Sequence, residues 1–301
     1  MNHVKFEGIM PALITPFCED NKTINEEVAR EFIDYLLMQG ADGFYILGGT
    51  GEGLVMGREE REVMCEVAVK HIAGRKPVIC HIAAVNLEEA CALAMHAERT
   101  GADAIAAIPP IFFFYDETDI FNYYKRLAEC VSIPVIIYYH PSAQKEMSAD
   151  LIARIYEIDN VIGVKWSSDN FFQLMKLKDK THGEMNIING PDELLVSGLA
   201  AGADAGIGST YNMMLPQFIK IYKSFREGKM QQALAEQLKA NRIIDILIKN
   251  EVIPSVKYAV ELMGYSVGEA TYPMRALNME QKAYLERSLR EAGWTFDNRR
   301  I

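Results

Sequence analysis

Long apolar runs are missing: nowhere in the 301 residues do roughly 18 uncharged apolar positions follow one another. The start, MNHVKFEGIMPALITPF, has no cationic flank leading into an apolar stretch, so neither a membrane span nor a secretory leader is expected, and a cytoplasmic protein is. Cysteine is scarce. Cys18, Cys65, Cys80, Cys91 and Cys130 form an odd, scattered set without CxxC spacing, which predicts buried thiols and excludes a disulfide framework or a zinc site. The histidines lack HxxxH and HExxH spacing, and His3, His71, His96 and His182 read as packing or surface residues. Basic excess is also absent: 31 Lys and Arg against 41 Asp and Glu give a net charge of −10, spread along the chain. A nucleic-acid or anionic-membrane surface is therefore not expected.

What is present is ample apolar material, 50% of the residues, patterned in short runs. The runs at 8–15, 42–48, 77–83, 103–109, 134–139, 161–166, 186–189 and 204–208 predict eight strands, each followed by helical spacing. In the first helical stretch, Val28, Phe32, Tyr35 and Leu36 share one face, and Thr23 with Glu26 and Asn86 with Glu89 have capping-box spacing. Gly-Ala-Asp recurs at 40–42, 101–103 and 202–204, where a left-handed glycine closes a helix just before a strand. Eight βα units predict an α/β fold, a (β/α)8 barrel over 1–212, with a helical region over 213–301 packed on it. A doubly wound open sheet is the structural alternative, disfavoured by the lack of GxGxxG near the start. In the tail, 217–226, 229–248, 254–263 and 280–292 read as helices, with Pro216 and Pro254 in first turns.

In such a barrel the chemistry sits at the C-terminal strand ends. Those ends read GGTGEG (48–53), YYHP (138–141), KWSS (165–168), NGPDE (189–193) and GIGSTYN (206–212). Lys165 interrupts the apolar run VIGVKW. An amine held away from water is paired, snorkels out, or gives up its proton and becomes a nucleophile able to form a Schiff base with a ketone. A structural ion pair is the competing reading. GGTGEG is either an ordinary tight turn or an anion cradle of backbone amides with the Thr50 hydroxyl at a helix start. Tyr138 is either a packed strand tyrosine or a proton carrier over the lysine.

Taken together, GGTGEG, Tyr138 in YYHP, Lys165 in GVKWSS, NGPDE and GIGSTYN resemble, over about 7–265, the Schiff-base (class I) aldolases of the N-acetylneuraminate lyase and dihydrodipicolinate synthase family, most closely its neuraminate lyase branch. The resemblance implies Lys165 as nucleophile toward a 2-oxo acid, Tyr138 as acid/base, and Gly49 and Thr50 with the turn amides at the substrate carboxylate. It further implies Ser167, Gly190, Asp192, Glu193 and Ser209 as contacts to a polyhydroxylated tail, no metal or organic cofactor, and a homotetramer. The implied reaction is cleavage of a 4-hydroxy-2-oxo acid, foremost N-acetylneuraminate, to pyruvate and an aldehyde. The alternatives are an aldolase or dehydratase for a 2-keto-3-deoxy sugar acid, or a non-catalytic pyruvate-binding barrel.

Three positions depart from the family pattern. Ala143 stands where dihydrodipicolinate synthases carry an arginine, which makes that activity a poorer fit; Gly49 replaces a Ser or Thr; and Phe112 replaces a tyrosine that relatives contribute from the neighbouring subunit. Two hydroxyls of the proton relay are thereby missing. His140 is read either as turned outward before Pro141 or as a substitute in that relay. The run IFFFY at 111–115 is either an apolar entrance or a loop covered by a partner subunit.

Overall fold

The computed structural model describes residues 5–141 and 147–295. His3 and Ala143 lie outside them. The chain runs β1 (Gly8–Pro11), α1 (Glu26–Met38), β2 (Phe44–Ile46), α2 (Arg58–Ile72), β3 (Val78–His81), α3 (Leu87–Thr100), β4 (Ala104–Ala107), α4 (Glu117–Cys130), β5 (Val135–Tyr139), α5 (Ala149–Tyr156), β6 (Val161–Trp166), α6 (Phe171–Lys180), β7 (Asn186–Asn189), α7 (Leu195–Ala200) and β8 (Ala205–Gly208), followed by α8 (Tyr211–Arg226), α9 (Met230–Ile248), α10 (Val252–Leu262) and α11 (Met279–Glu291).

Every strand pairing is parallel, and the sheet order places β1 beside β8. The ring closes between β1 and β2 through the Ala12–Tyr45 bridge, where Leu13 N–H donates to Tyr45 O at 2.8 Å. This is the (β/α)8 barrel, with all eight strands where the apolar runs place them. The runs are continuous rather than alternating because both faces are covered. Ile79, Ala106, Ile136, Ile188 and Ile207 fill the interior, while alternate residues such as Val135, Ile137 and Val164 pack against the helices. In α1, Phe32 and Leu36 are wholly buried, contributing roughly 1.5–3 kcal/mol each.

Gly40, Gly101 and Gly202 have φ of 95°, 99° and 108°, the left-handed helix closure expected of them. The aspartate of the repeat has a role the spacing does not reveal. Asp42, Asp103 and Asp204 each accept a backbone N–H from the preceding strand of the ring or its neighbour, Ile9, Val78 and Ile187 respectively. Each thereby satisfies an amide at the rim opposite the strand C-termini.

Several local expectations need correction. Helix α1 is capped by Asn25, whose side chain accepts from Val28 N–H. Thr23 instead donates its hydroxyl to Asp20 within a turn. Asn86 does cap α3, accepting from Glu89 N–H at 2.7 Å. Cys91 and Cys130 are joined as a disulfide between α3 and α4, which the scattered spacing conceals because only the fold makes those helices neighbours. Cys65 and Cys80 are buried thiols, and Cys18 is half-buried. Helix α8 begins at Tyr211, so the eighth βα unit runs across residue 212, and a kink at Met214 puts Pro216 near the start of the segment that follows. Among the described residues, no helix is long and apolar enough to cross a membrane.

The C-terminal helices do more than cover the barrel. Gln237 and Asn241 of α9 donate to the carbonyls of Asp192 and Glu193, and Lys257 of α10 reaches the 48–53 turn. Two strand-end turns are thus held from outside the ring.

Candidate active site

Because all strands point one way, their C-terminal ends share one rim. A cavity of about 240 Å3 opens there, with Ala12, Tyr45 and Ile207 of the barrel interior at its floor. A larger cavity, about 770 Å3, lies among α1, α8, α9 and the turn at Trp294, and holds none of the strand-end polar residues.

Lys165 faces the smaller cavity. Val164 and Trp166 on either side of it pack outward, and the β5–β6 register sets Lys165 directly beside Tyr138. Its Nζ donates to Ser167 Oγ at 2.9 Å and stands 3.9 Å from the Tyr138 ring centroid and 5.6 Å from that of Tyr45. Among the described residues it makes no ion pair with a carboxylate. The competing reading of a structural salt bridge therefore falls. Gly190 protects this arrangement, since a Cβ there would come within 2.0 Å of Ser167 Oγ.

Thr50 and Ser209 meet across the cavity with their hydroxyl oxygens 2.6 Å apart. The turn carrying Thr50 packs so closely that a Cβ on Gly53 would lie 1.9 Å from Leu47 O. At Gly49 the reverse holds: the position is exposed and a Cβ would meet nothing within 4 Å. The turn does not open directly into an α-helix, as expected of an anion cradle at a helix start. A single 3-10 turn, Gly53–Val55, follows it, and α2 starts only at Arg58.

The acidic pair of NGPDE divides. Glu193 lines the cavity mouth. Asp192, expected as a substrate contact, is buried and turned away, accepting from Thr210 N–H at 2.8 Å and Thr210 Oγ at 2.7 Å. Its carboxylate ties the turn after β7 to the end of β8. Burial pushes this carboxyl up to about 7, against the lowering effect of the Thr210 bonds. The native group then holds its proton over a pH range where the unfolded one, at 3.8, has released it. Stability contributed here is present below the unfolded value and declines as pH rises toward 7. Asp192→Asn keeps an acceptor for Thr210 and does not titrate. Thermal unfolding across this range is expected to show the variant gaining on the wild-type protein as pH rises; a constant difference would disprove the assignment.

His140 lines the cavity and does not turn outward, its ring centroid 6.0 Å from that of Tyr138. Burial, and then the Lys165 charge, lower its pKa below the ordinary histidine value. His81, unmarked in the motifs, is fully enclosed behind Tyr138, its ring 5.7 Å away and edge-on. Its Nδ1 lies 3.1 Å from Leu47 O, and burial drives its pKa down to about 3, so it is a neutral ring that holds the tyrosine in place. The signal for it is the one that marks Lys165, a polar residue inside an apolar strand run. Phe112, Phe113 and Phe114 are 86%, 64% and 98% exposed on the chain surface. Among the described residues no group of three or more His, Cys, Asp or Glu side chains converges as a metal site.

The model of the dihydrodipicolinate synthetase family matches residues 5–292. The N-acetylneuraminate lyase of Rhizobium meliloti (strain 1021) is 31% identical over 289 residues, covering 96% of this chain and 95% of that protein. The N-acetylneuraminate lyase of Citrobacter koseri is 33% identical over 258 residues, covering 85% of this chain and 86% of its own. The solved structure of Proteus mirabilis N-acetylneuraminate lyase superposes with a TM-score of 0.92 at 29% identity, covering 97% of this chain and 100% of that one.

Proposed function

The chain belongs to the dihydrodipicolinate synthetase family, and from that membership we propose that it is a carbon–carbon lyase that cleaves N-acetylneuraminate to pyruvate and N-acetylmannosamine through a Schiff base on Lys165. The observation that carries this reading is the Lys165 amine, lying in a strand-end cavity against Tyr138 and Ser167 and tied to no carboxylate.

The unprotonated amine attacks the C2 ketone and water leaves, giving an iminium. Scission of C3–C4 then delivers its electron pair into that iminium, and an enamine forms as the aldehyde departs. Protonation of the enamine carbon and hydrolysis release pyruvate. Thr50 and its turn sit where they can hold the carboxylate, Tyr138 carries protons at the reacting carbons, and Ser167, Gly190, Glu193 and Ser209 meet the hydroxylated remainder. The scheme draws on no metal or organic cofactor. The exposed aromatic run at 112–114 supports assembly with further copies, in keeping with a cytoplasmic homotetramer.

A second reading, the same chemistry on a 2-keto-3-deoxy sugar acid, is favoured by two observations: Asp192 is withdrawn from the cavity, and Gly49 leaves open space beside Thr50. Borohydride reduction with pyruvate is expected to fix a three-carbon adduct on Lys165, read by peptide mass spectrometry. Pyruvate release from a panel of 4-hydroxy-2-oxo acids then ranks the substrates. No adduct on Lys165 rejects the mechanism, and a neuraminate rate at background rejects the first substrate in favour of the second reading. Stabilisation by pyruvate without turnover of any panel member would mark a non-catalytic barrel.

A further inference from the structure

The cavity of about 770 Å3 outside the barrel takes no part in the chemistry above. It lies at the break in α8, where Met214 departs from helical geometry at φ −135°, ψ 28° and lines the wall with Met213. Its volume falls in the range that encloses most of a small organic ligand, roughly 300–1,000 Å3. The walls divide by chemistry. Tyr35 and Met38 of α1, Met213 of α8, Met263 after α10 and Trp294 after α11 supply apolar surface. The Trp294 indole N–H already donates to Met213 O at 3.1 Å, so this residue brings apolar area to the cavity and not a donor. Thioethers among aromatic rings favour an aryl group in particular.

Helix α9 brings two cations to the same space, Lys239 and Arg242. In a chain of net charge −10, no carboxylate lines this cavity. Glu236, on the same helix, is already covered: Lys220 and Lys239 reach its Oε1 at 2.6 Å and 3.0 Å, and Gln217 donates to its Oε2 at 2.9 Å. Two ammonium groups on one carboxylate leave positive charge over. Arg242 is exposed and, among the described residues, forms no ion pair. We propose that this cavity is a second ligand site, one that takes an aromatic carboxylate, with the aryl body against Tyr35, Met213, Met263 and Trp294 and the carboxylate on the Arg242 guanidinium. An arginine fork meets a carboxylate through two parallel N–H···O bonds, and Lys239 adds its charge beside them. A cationic ligand would face two like charges with no acid to compensate, and a neutral one would leave the guanidinium unused. The site stands apart from the Schiff-base reading, since it shares no lining residue with the strand-end cavity.

Titration of the full chain with 3-phenylpropionate, 3-phenylpropanol and 3-phenylpropylamine, followed by calorimetry and tryptophan fluorescence, separates charge from apolar body. The carboxylate is expected to bind about tenfold tighter than the alcohol or the amine, a gap set by its hydrogen bonds to a charged donor. It should also shift the tryptophan emission. That shift is absent from Trp294→Phe, because the other tryptophan, Trp166, is enclosed in the barrel wall. Arg242→Ala, at an exposed position with no ion pair to strand, keeps its Tm and loses the preference for the carboxylate while binding the alcohol unchanged. Lys165→Met binds all three as the wild-type protein does. Equal affinity for the three probes, or undiminished carboxylate binding by Arg242→Ala, overturns the proposal. So does loss of binding in Lys165→Met, which would place the carboxylate at the strand ends. Binding that appears only in a chain ending at Thr295 would show that the protein's own residues 296–301 take the cavity, and a fall in assembly mass with Arg242→Ala would show a second copy there; either overturns it as well.

Discussion

Lys165→Met is expected to give a folded barrel that neither cleaves 2-oxo acids nor takes up a three-carbon adduct. The side chain is 5% exposed, and methionine retains most of its contacts with Tyr45 and Tyr138. Among the described residues its hydrogen bond goes to Ser167, whose hydroxyl is half-buried on the cavity wall and can turn to water. Nothing charged is stranded by the change, so the unfolding temperature should hold or rise. Activity has no such substitute. Without a primary amine, no iminium forms and the C3–C4 electron pair has nowhere to go; loss of a covalent nucleophile costs on the order of 10⁴-fold or more in kcat. Lys165→Arg is the sharper control. It keeps a cation near the Tyr138 ring, but its guanidinium stays protonated and cannot attack a carbonyl. Residual turnover above about 1% in either variant would show that Lys165 is not the nucleophile, and turnover kept by the arginine variant alone would show that it acts as a charge.

The barrel was legible because apolar run length and helical spacing survive tertiary context, and each strand here is buried on both faces. The strand-end residues were legible for a related reason. A polar side chain such as Lys165 conflicts with its apolar surroundings, and that conflict is visible in one dimension. What stayed hidden depends on direction. Asp192 and Glu193 are adjacent in the chain, yet one faces Thr210 and the other the cavity mouth, and no spacing rule separates them. His140 before Pro141 gave no clue to its inward orientation. The Cys91–Cys130 pairing and the Asp42, Asp103 and Asp204 bonds join neighbouring units of the ring, so they follow from its closure and not from local pattern. Glu52 shows the same limit within a recognised motif, since its partner lies 205 residues away.

That partner is Lys257, and removing it is expected to destabilise the protein strongly. The two side chains are 1% and 0% exposed, with Nζ 2.8 Å from Glu52 Oε1. The ammonium also donates to Thr15 O at 3.2 Å and Glu269 O at 2.9 Å, and the other carboxylate oxygen accepts from Thr271 N–H at 2.6 Å. Four chain segments thus meet at one buried pair. Burial pulls the Lys257 pKa down, and the Glu52 charge opposes that shift. Lys257→Met leaves a carboxylate enclosed without a countercharge and two carbonyls without a donor, a cost of about 3–5 kcal/mol. For a chain of this size that lowers Tm by roughly 5–10 °C. Glu52→Gln strands the ammonium instead and should cost a similar amount. The double variant Glu52→Gln/Lys257→Met removes both charges and should recover much of the loss, which a double-mutant cycle measures directly. The effect reaches the cavity as well: Glu52 sits at φ 59° in the turn that carries Thr50, two residues before it. Loosening the clamp frees the Thr50 hydroxyl from its place opposite Ser209, so KM for the 2-oxo acid should rise well before kcat falls. A Lys257→Met protein with unchanged Tm and KM would show that the turn is held by its own tight backbone packing and that the buried pair is dispensable to it.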